Sequence, residues 1–450
     1  MLTILRNAWK IPELRGKLVF TLIIIILYRL GTSVPVPFID SYVLSDMFAA
    51  HGDTILGFMN ILSGQAFERA TLFALSISPY ITASIVMQLL TIAIPALERL
   101  SKSGEEGKKK ISQITRYATV ALGLITGYGY YIFLLNGGAL LPAGRTFFGG
   151  TVIVACYVAG ASLIMWLGEK INESGIGNGI SIILFANIIS VLPVATANTV
   201  SRIWYAVVDL ANDAEGASLG VVINEIVIAL VILAVALVIV AFVVFMSNAE
   251  RRIPIQYSKR VVGRKMYGGQ NTHLPIKVNM SGVMPIIFAS SIVSIPITII
   301  TFMGGDRAST GVMGFIHDFF SPTSVLYIVL TFLLIIAFSY FYISISFNPI
   351  EVSNNIKKNG GFIPGIRPGK PTSDFISKIL RKIVFIGGLF LAVIAAFPLT
   401  ANAISFAITM QGSAIAFGGT SLLIVVGVAL ETTREMEAQM TMRHYKGFLE

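Results

Sequence analysis

Pro79-Tyr80-Ile81-Thr82-Ala83-Ser84 and Pro285-Ile286-Ile287-Phe288-Ala289-Ser290 share one pattern, P-x-I-x-A-S. A second pair, Gly179-Ile180-Ser181-Ile182-Ile183-Leu184 and Gly419-Thr420-Ser421-Leu422-Leu423-Ile424, shares G-x-S followed by three aliphatic residues. All four stretches lie inside long apolar runs. Whether they are true repeats depends on what those runs are and how many there are.

Hydrophobic residues make up 55% of the 450 residues and charged residues 12%. An average soluble domain carries roughly 25% charged residues. With a mean hydropathy of +0.80, a soluble enzyme is excluded and an integral membrane protein is expected. Backbone polar groups must be satisfied internally in lipid, so only helices or a closed barrel can cross. Unbroken runs such as Leu18–Leu27 and Val221–Met246 favour helices, because barrel strands are short and alternating. The single cysteine, Cys156, rules out an intrachain disulfide and leaves the redox compartment open. The first apolar run has no small-residue cleavage site behind it and reads as a retained span.

A spanning helix needs about 20 mostly apolar residues. Ten stretches qualify: roughly 18–38, 71–94, 117–136, 149–168, 179–197, 221–246, 282–303, 324–347, 380–399 and 413–430. Of the 33 Lys and Arg residues, 28 fall in alternate segments starting from the N-terminus, and four (Arg69, Arg145, Arg202, Arg307) fall in the others. The positive-inside rule puts both termini in the cytoplasm of a cell membrane. A missed span would scramble this bias, so it also supports the count. Two basic loops stand out, about 247–280 and about 348–379. The first is long enough to dock an acidic or RNA partner as well as to set topology.

Ten spans make two sets of five, and an odd number per set gives the halves opposite topology. That is an inverted repeat, with the functional path expected at the interface of the halves. The motif pairs fall in the second and seventh spans and in the fifth and tenth, the positions such a repeat requires. The expected fold class is an all-α polytopic membrane protein with ten transmembrane helices in two inverted five-helix halves. Residues 1–17 would form a cytoplasmic N-terminus, 18–203 and 204–430 the halves, and 431–450 a cytoplasmic tail. Ile81, Ile287, Leu184 and Ile424 would then be symmetry-related around an axis. The other reading makes them ordinary packing aliphatics, and periodicity alone favours it.

Ionisable residues inside spans usually mark ion or substrate pathways. Arg29 is the clearest one here, and there is no Asp/Glu/His relay. This disfavours an inverted-repeat secondary transporter, which remains the alternative reading, with a non-transporting scaffold third. His51, His273, His317 and His444 lie in separate loops or the tail, and no H-E-x-x-H or P-loop motif occurs. Gly175-Ile176-Gly177-Asn178-Gly179 follows a helix rather than a strand and reads as a re-entry turn. No catalytic residue, metal site or cofactor is expected, so energy for any uphill movement comes from a partner. Leu56–Phe67 is too short to span and too apolar for an open loop. Gly57 and Gly64 weaken it as a helix by roughly 1 kcal/mol each. It reads as a short marginal helix in a cavity, or else an interfacial helix.

Ser78–Leu90, Gly175–Ile182, Thr272–Ser291, Gly361–Gly369 and Phe417–Val426 resemble signatures of the SecY/Sec61-alpha family, and the resemblance runs end to end. It implies a protein-conducting channel, not an enzyme, that passes unfolded polypeptides and releases transmembrane segments sideways into lipid. By motif position the pore ring would be Ile77, Ile81, Ile180, Leu184, Ile287 and Ile424, with isoleucine common where Leu184 stands. A plug would cover about 56–70, including Asn60, Leu62, Ser63, Gly64 and Phe67. A lateral gate between the second, third, seventh and eighth spans would include Thr82, Gln88, Asn178 and Ser291. Arg251, Arg252, Arg264 and Arg367 would dock the ribosome, through ribosomal RNA, or the SecA motor ATPase. SecE and SecG are implied partner subunits, and signal peptides and nascent polypeptides the substrates.

In a Cys156→Ser background, single cysteines at Lys109 and Lys358 are expected to react with impermeant reagent from the cytoplasmic face only, and one at Arg145 from the opposite face only. Labelling of Lys109 and Arg145 from the same face would break the span count.

Overall fold

The computed structural model describes residues 2–51, 60, 63–212, 219–257, 260–262, 265–267, 271–302, 312–321, 324–409 and 415–446. The apolar runs fold as helices, in chain order α1 (Leu2–Lys10), α2 (Pro12–Gly31), α3 (Ser41–His51), α4 (Ser78–Ala93), α5 (Pro95–Lys102), α6 (Glu105–Asn136), α7 (Phe147–Ser174) and α8 (Gly179–Ala211). There follow α9 (Leu219–Asn248), α10 (Met284–Phe302), α11 (Val312–Phe320), α12 (Val325–Ser346), α13 (Pro349–Lys358), α14 (Lys370–Thr409) and α15 (Ile415–Lys446). Their starts are written locally. Proline occupies the first turn of α2, α4, α5 and α13, where its missing N–H has no intrahelical partner to lose. Thr146, Asn178, Ser324 and Asn348 cap α7, α8, α12 and α13, accepting from first-turn N–H groups.

Six of the described helices are long and apolar enough to cross a membrane, and α4 with α5 makes a seventh if that pair, bent by 101°, counts as one span. α10 is apolar but shorter over its most apolar stretch, Met284–Ile300. α2 carries Glu13, Arg15, Lys17 and Arg29.

Several expected boundaries move. The first span was placed at 18–38, but α2 ends at Gly31. The following Val34-Pro35-Val36-Pro37 cannot continue a helix, and it pairs with the chain ahead of α4 instead: Val36 N–H donates to Ala70 O (3.1 Å), and Leu72 N–H to Val34 O (2.9 Å). That pairing holds residues 71–77 in turns, so the second helix starts at Ser78, not 71. α8 runs past residue 203 and α15 past 430 without a break, so the expected half and tail boundaries fall inside helices.

The chain is mostly helical but not all-α. In the first long basic loop, β1 (Glu250–Tyr257), β2 (Arg260–Val262), β3 (Lys265–Tyr267) and β4 (Asn271–Lys277) form, and β5 (Gly361–Phe362) lies in the second. A three-stranded antiparallel sheet has the order β4-β1-β5, and β2 pairs with β3. The register sets Arg252 opposite Pro275 and Gln256 opposite Phe362. β1 alternates as a half-buried strand should: Ile253 and Ile255 point inward while Arg252 and Pro254 are exposed.

The largest buried cluster draws on nine helices, with Tyr28 from α2, Ile81 from α4, Ile164 from α7, Leu184 from α8, Val243 from α9, Ile287 from α10, Ile335 from α12, Leu391 from α14 and Ile424 from α15. A second, aromatic cluster contains Phe67, Tyr130, Phe133, Tyr157 and Phe302. A third lies beneath the sheet, with Ile253, Ile255, Ile356, Ile363 and Ile376. α7 passes so close to the 66–77 turns that a Cβ on Gly160 would sit 1.9 Å from Leu72 O, whereas one on Gly16 of α2 would meet nothing within 4 Å.

Gly160→Ala therefore lowers stability by about 2 kcal/mol as an overpacked site, while Gly16→Ala is neutral or raises it by up to about 1 kcal/mol. Thermal unfolding in detergent reads both; equal midpoints for the two variants would show that the approach at Gly160 is not tight.

Candidate functional site

The two P-x-I-x-A-S copies open α4 and α10 with the same first turn. Tyr80 and Ile81 N–H groups donate to Ile77 O (3.1 and 3.0 Å), and Ile286 and Ile287 N–H groups donate to Val283 O (3.1 and 3.3 Å). Each motif isoleucine is then carried into the interior. Ile77 precedes α4, and Leu184 is in the second turn of α8. Asn178 fixes the start of that helix by accepting from Ile180 and Ser181 N–H (3.0 and 3.3 Å). Ile424 comes from α15. Ile77, Ile81, Leu184, Ile287 and Ile424 belong to one buried cluster, each at most 5% exposed, and Ile180 packs against it half-buried. None of these side chains offers a hydrogen bond or a charge.

The segment ahead of α4 is built differently. Asn60 and Glu68 exchange two hydrogen bonds: Asn60 Nδ2 donates to Glu68 Oε2 (2.8 Å), and Glu68 N–H to Asn60 Oδ1 (3.0 Å). Ser63 Oγ donates to Asn60 O (2.9 Å) and accepts from Phe67 N–H (3.0 Å). The buried Phe67 ring stacks on Tyr130 at 4.3 Å and meets Phe48 edge-on at 5.5 Å. Tyr130 hydroxyl donates to Phe67 O at 2.6 Å. Leu62 lies outside the described residues. Of the short helix expected over 56–67, Asn60 and Ser63 are helical, 56–59, 61 and 62 lie outside the described residues, and the chain from Gly64 to Ile77 runs in turns and a bend with one bridge at Thr71. Gly64 is left-handed at φ +66, and so are three non-glycine residues, Gln65 (+68), Ala70 (+46) and Ser76 (+52), which a helix cannot accommodate. Sequence reasoning missed Tyr130 as the partner of this segment; the aromatic run Tyr128-Gly129-Tyr130-Tyr131 was the available signal.

α4 and α10 pack against each other. Thr82 is half-buried on α4. Gln88 Nε2 donates to Ser84 Oγ (3.3 Å), and Ser291 Oγ to Ile287 O (2.7 Å). These bonds, like the Asn178 cap, are local to single helices.

Pairing of β1 with β5 joins the two basic loops into one platform. Arg251, Arg252 and Arg367 are exposed on it, with Arg252 Nε 2.7 Å from Glu250 Oε1. Arg264 lies outside the described residues. At the base of the platform, burial and the neighbouring Arg434 push the Lys277 ammonium below its ordinary value.

The SecY family model matches residues 71–433. SecY translocase subunits of Streptomyces coelicolor and Streptomyces galbus are 44% and 43% identical over the whole of both chains, and that of Mycobacterium bovis is 40% identical over the same extent. The chain belongs to the SecY family. Its fold is that of a protein-conducting channel structure with a TM-score of 0.62 at 18% identity, covering 96% of each chain. A Sec61 structure from a canine ribosome-channel complex gives a TM-score of 0.61 at 16% identity, again covering 96% of each.

Proposed function

We propose that this chain is the pore-forming subunit of a protein-conducting channel. It passes unfolded secretory polypeptides across the cell membrane and releases transmembrane segments sideways into lipid. The observation that carries the reading is the convergence of Ile77, Ile81, Leu184, Ile287 and Ile424 from separate elements on one buried cluster. A translocating polypeptide has no fixed charge or shape, so a side-chain-specific site would be useless to it. An aliphatic constriction is indifferent to sequence, and when shut it excludes water and ions by dewetting.

Ten spans in two inverted halves, both termini cytoplasmic, give this waist its symmetry. The matched first turns of α4 and α10 support that layout. The segment near 60–70, seated by Tyr130 and the Asn60–Glu68 pair, serves as a plug. α4 and α10 form part of the lateral gate, through which apolar segments partition into lipid because they are more stable there. The exposed arginines of the platform dock the ribosome or SecA, with SecE and SecG as companion subunits, and the driving energy comes from those partners. A proton-coupled transporter gains nothing from Arg29, since a guanidinium is not deprotonated in proteins.

Replacing Ile81 and Ile424 together by Asn is expected to raise the ion leak of the idle, reconstituted channel by about tenfold, a change equivalent to ~1.4 kcal/mol in the closed-state preference. An unchanged leak with unchanged signal-sequence selection would remove the constriction from these residues. Arg367→Glu is expected to abolish SecA-driven, protease-protected transport while folding and insertion stay normal. Transport at the parental rate would place docking elsewhere.

A further inference from the structure

We infer that Arg29 is a positioning residue that holds the plug segment in its seat while the channel is idle, an assignment that rests on the channel reading above. Arg29 lies in the last turn of α2, where a cation inside an apolar environment needs dedicated partners. Its Nη2 donates to Ala186 O on α8 at 2.7 Å, with Asn187 O at 3.5 Å. The other side of the guanidinium faces the plug segment. A methyl built on Gly64 would lie 3.0 Å from Arg29 Nη1, 3.2 Å from Nη2 and 3.0 Å from Asn187 Oδ1. The glycine therefore lies flat against the guanidinium and the amide, and at φ +66 it adopts a backbone that other residues rarely take.

The far end of the same segment meets the same site. Asn187 Nδ2 donates to Ser76 Oγ at 3.3 Å. Arg29, bonded to α8 and packed close against Gly64, and Asn187, bonded to Ser76, thus bring α2 and α8 to both ends of the 64–76 turns. Those turns carry left-handed backbone at Gln65, Ala70 and Ser76, conformations that persist only where surrounding contacts over-determine them. The segment is strained, and the contacts around Arg29 are among those that keep it seated. A shift of α8 away from α2 breaks the Arg29–Ala186 bond and loosens the plug, so opening of the helices and release of the seal are one event.

The test uses the full chain with its companion subunits in planar bilayers, and reads single-channel open probability without polypeptide. Arg29→Met and Gly64→Ala are each expected to raise idle open probability by about tenfold, the scale of one charge-assisted hydrogen bond. The double variant should be no leakier than either single one, because both changes break the same contact. Arg29→Lys should be intermediate, as an ammonium can keep the carbonyl but lacks the planar fork. Open probability is counted per inserted channel, so a variant that only folds less well does not score. Parental open probability in Arg29→Met, or single effects that multiply in the double variant, would overturn the assignment. Ile81→Asn separates the two levels. If it leaks while Arg29→Met stays quiet, the latch fails and the channel reading stands. If both stay quiet and no conductance accompanies polypeptide transit, the channel reading fails and takes the latch with it.

Discussion

Ile77, Ile81, Leu184, Ile287 and Ile424 belong to one buried apolar cluster, to which their side chains contribute van der Waals contact alone. Each such contact is worth only a fraction of a kcal/mol, and none is directional. A waist of this kind closes well and opens easily, which suits a conduit that must part around any side chain. The same property makes it an incomplete barrier. A seal that yields readily needs a second element with polar contacts to set when it yields. On the proposed reading the plug segment would supply it, held by the Asn60–Glu68 pair and the Tyr130 bond to Phe67 O, beside the Arg29 bond that joins α2 to α8.

The rest of the chain divides around that arrangement. α9 is the most apolar of the long helices, and only 6% of its most apolar stretch is buried within the chain, so its surface is suited to lipid or to companion helices. The platform contrasts with it. β1 pairs with both β4 and β5, and Ile253, Ile255 and Ile276 pack with Ile343 of α12, Ile356 of α13 and Leu380 of α14. Two loops far apart in sequence thus behave as one body rooted in the helices behind it. On the proposed docking role, a partner that grips Arg251 or Arg367 would pull on three helices, not on a slack loop.

Much of this was legible in the sequence, and what was not has physical causes. Long apolar runs announced the helices, and P-x-I-x-A-S announced matched turns because Pro at a helix start and a small residue a turn later are local requirements. The residues proposed for the ring were named by resemblance, and five of them lie in one buried cluster with Ile180 packed against it. The sheet was missed although Arg252-Ile253-Pro254-Ile255-Gln256-Tyr257 alternates, since its partner strands are set by packing against the helices beneath, not by strand propensity. The start of α4 was misplaced because residues 71–77 are apolar enough for a helix and are held in turns by Val34, from another part of the chain. Arg29 was visible as an in-span charge, but its acceptor is 157 residues away. No local pattern encodes such a contact.

The two motif copies also show how a symmetric waist acquires asymmetric control. Ile81 and Ile287 sit at equivalent points of equivalent first turns. What feeds those turns differs. α4 is entered from the strained 64–76 turns, through Ser76 at φ +52 and Ile77. α10 is entered from β4, which ends at Lys277, across a short connection containing Gly282 at φ +62. On the proposed topology the first entrance faces away from the cytoplasm and the second faces it. On that reading one motif copy connects to the proposed plug and the other to the proposed docking platform, and α4 and α10 pack directly on each other. On the proposed reading, a displacement imposed on the platform would reach Ile287, pass across that helix contact to Ile81, and arrive at the plug without a dedicated signalling residue. On the proposed inverted repeat, the two copies would give the pore its symmetry and, because they would be entered from opposite faces, a mechanical path from one side of the membrane to the other.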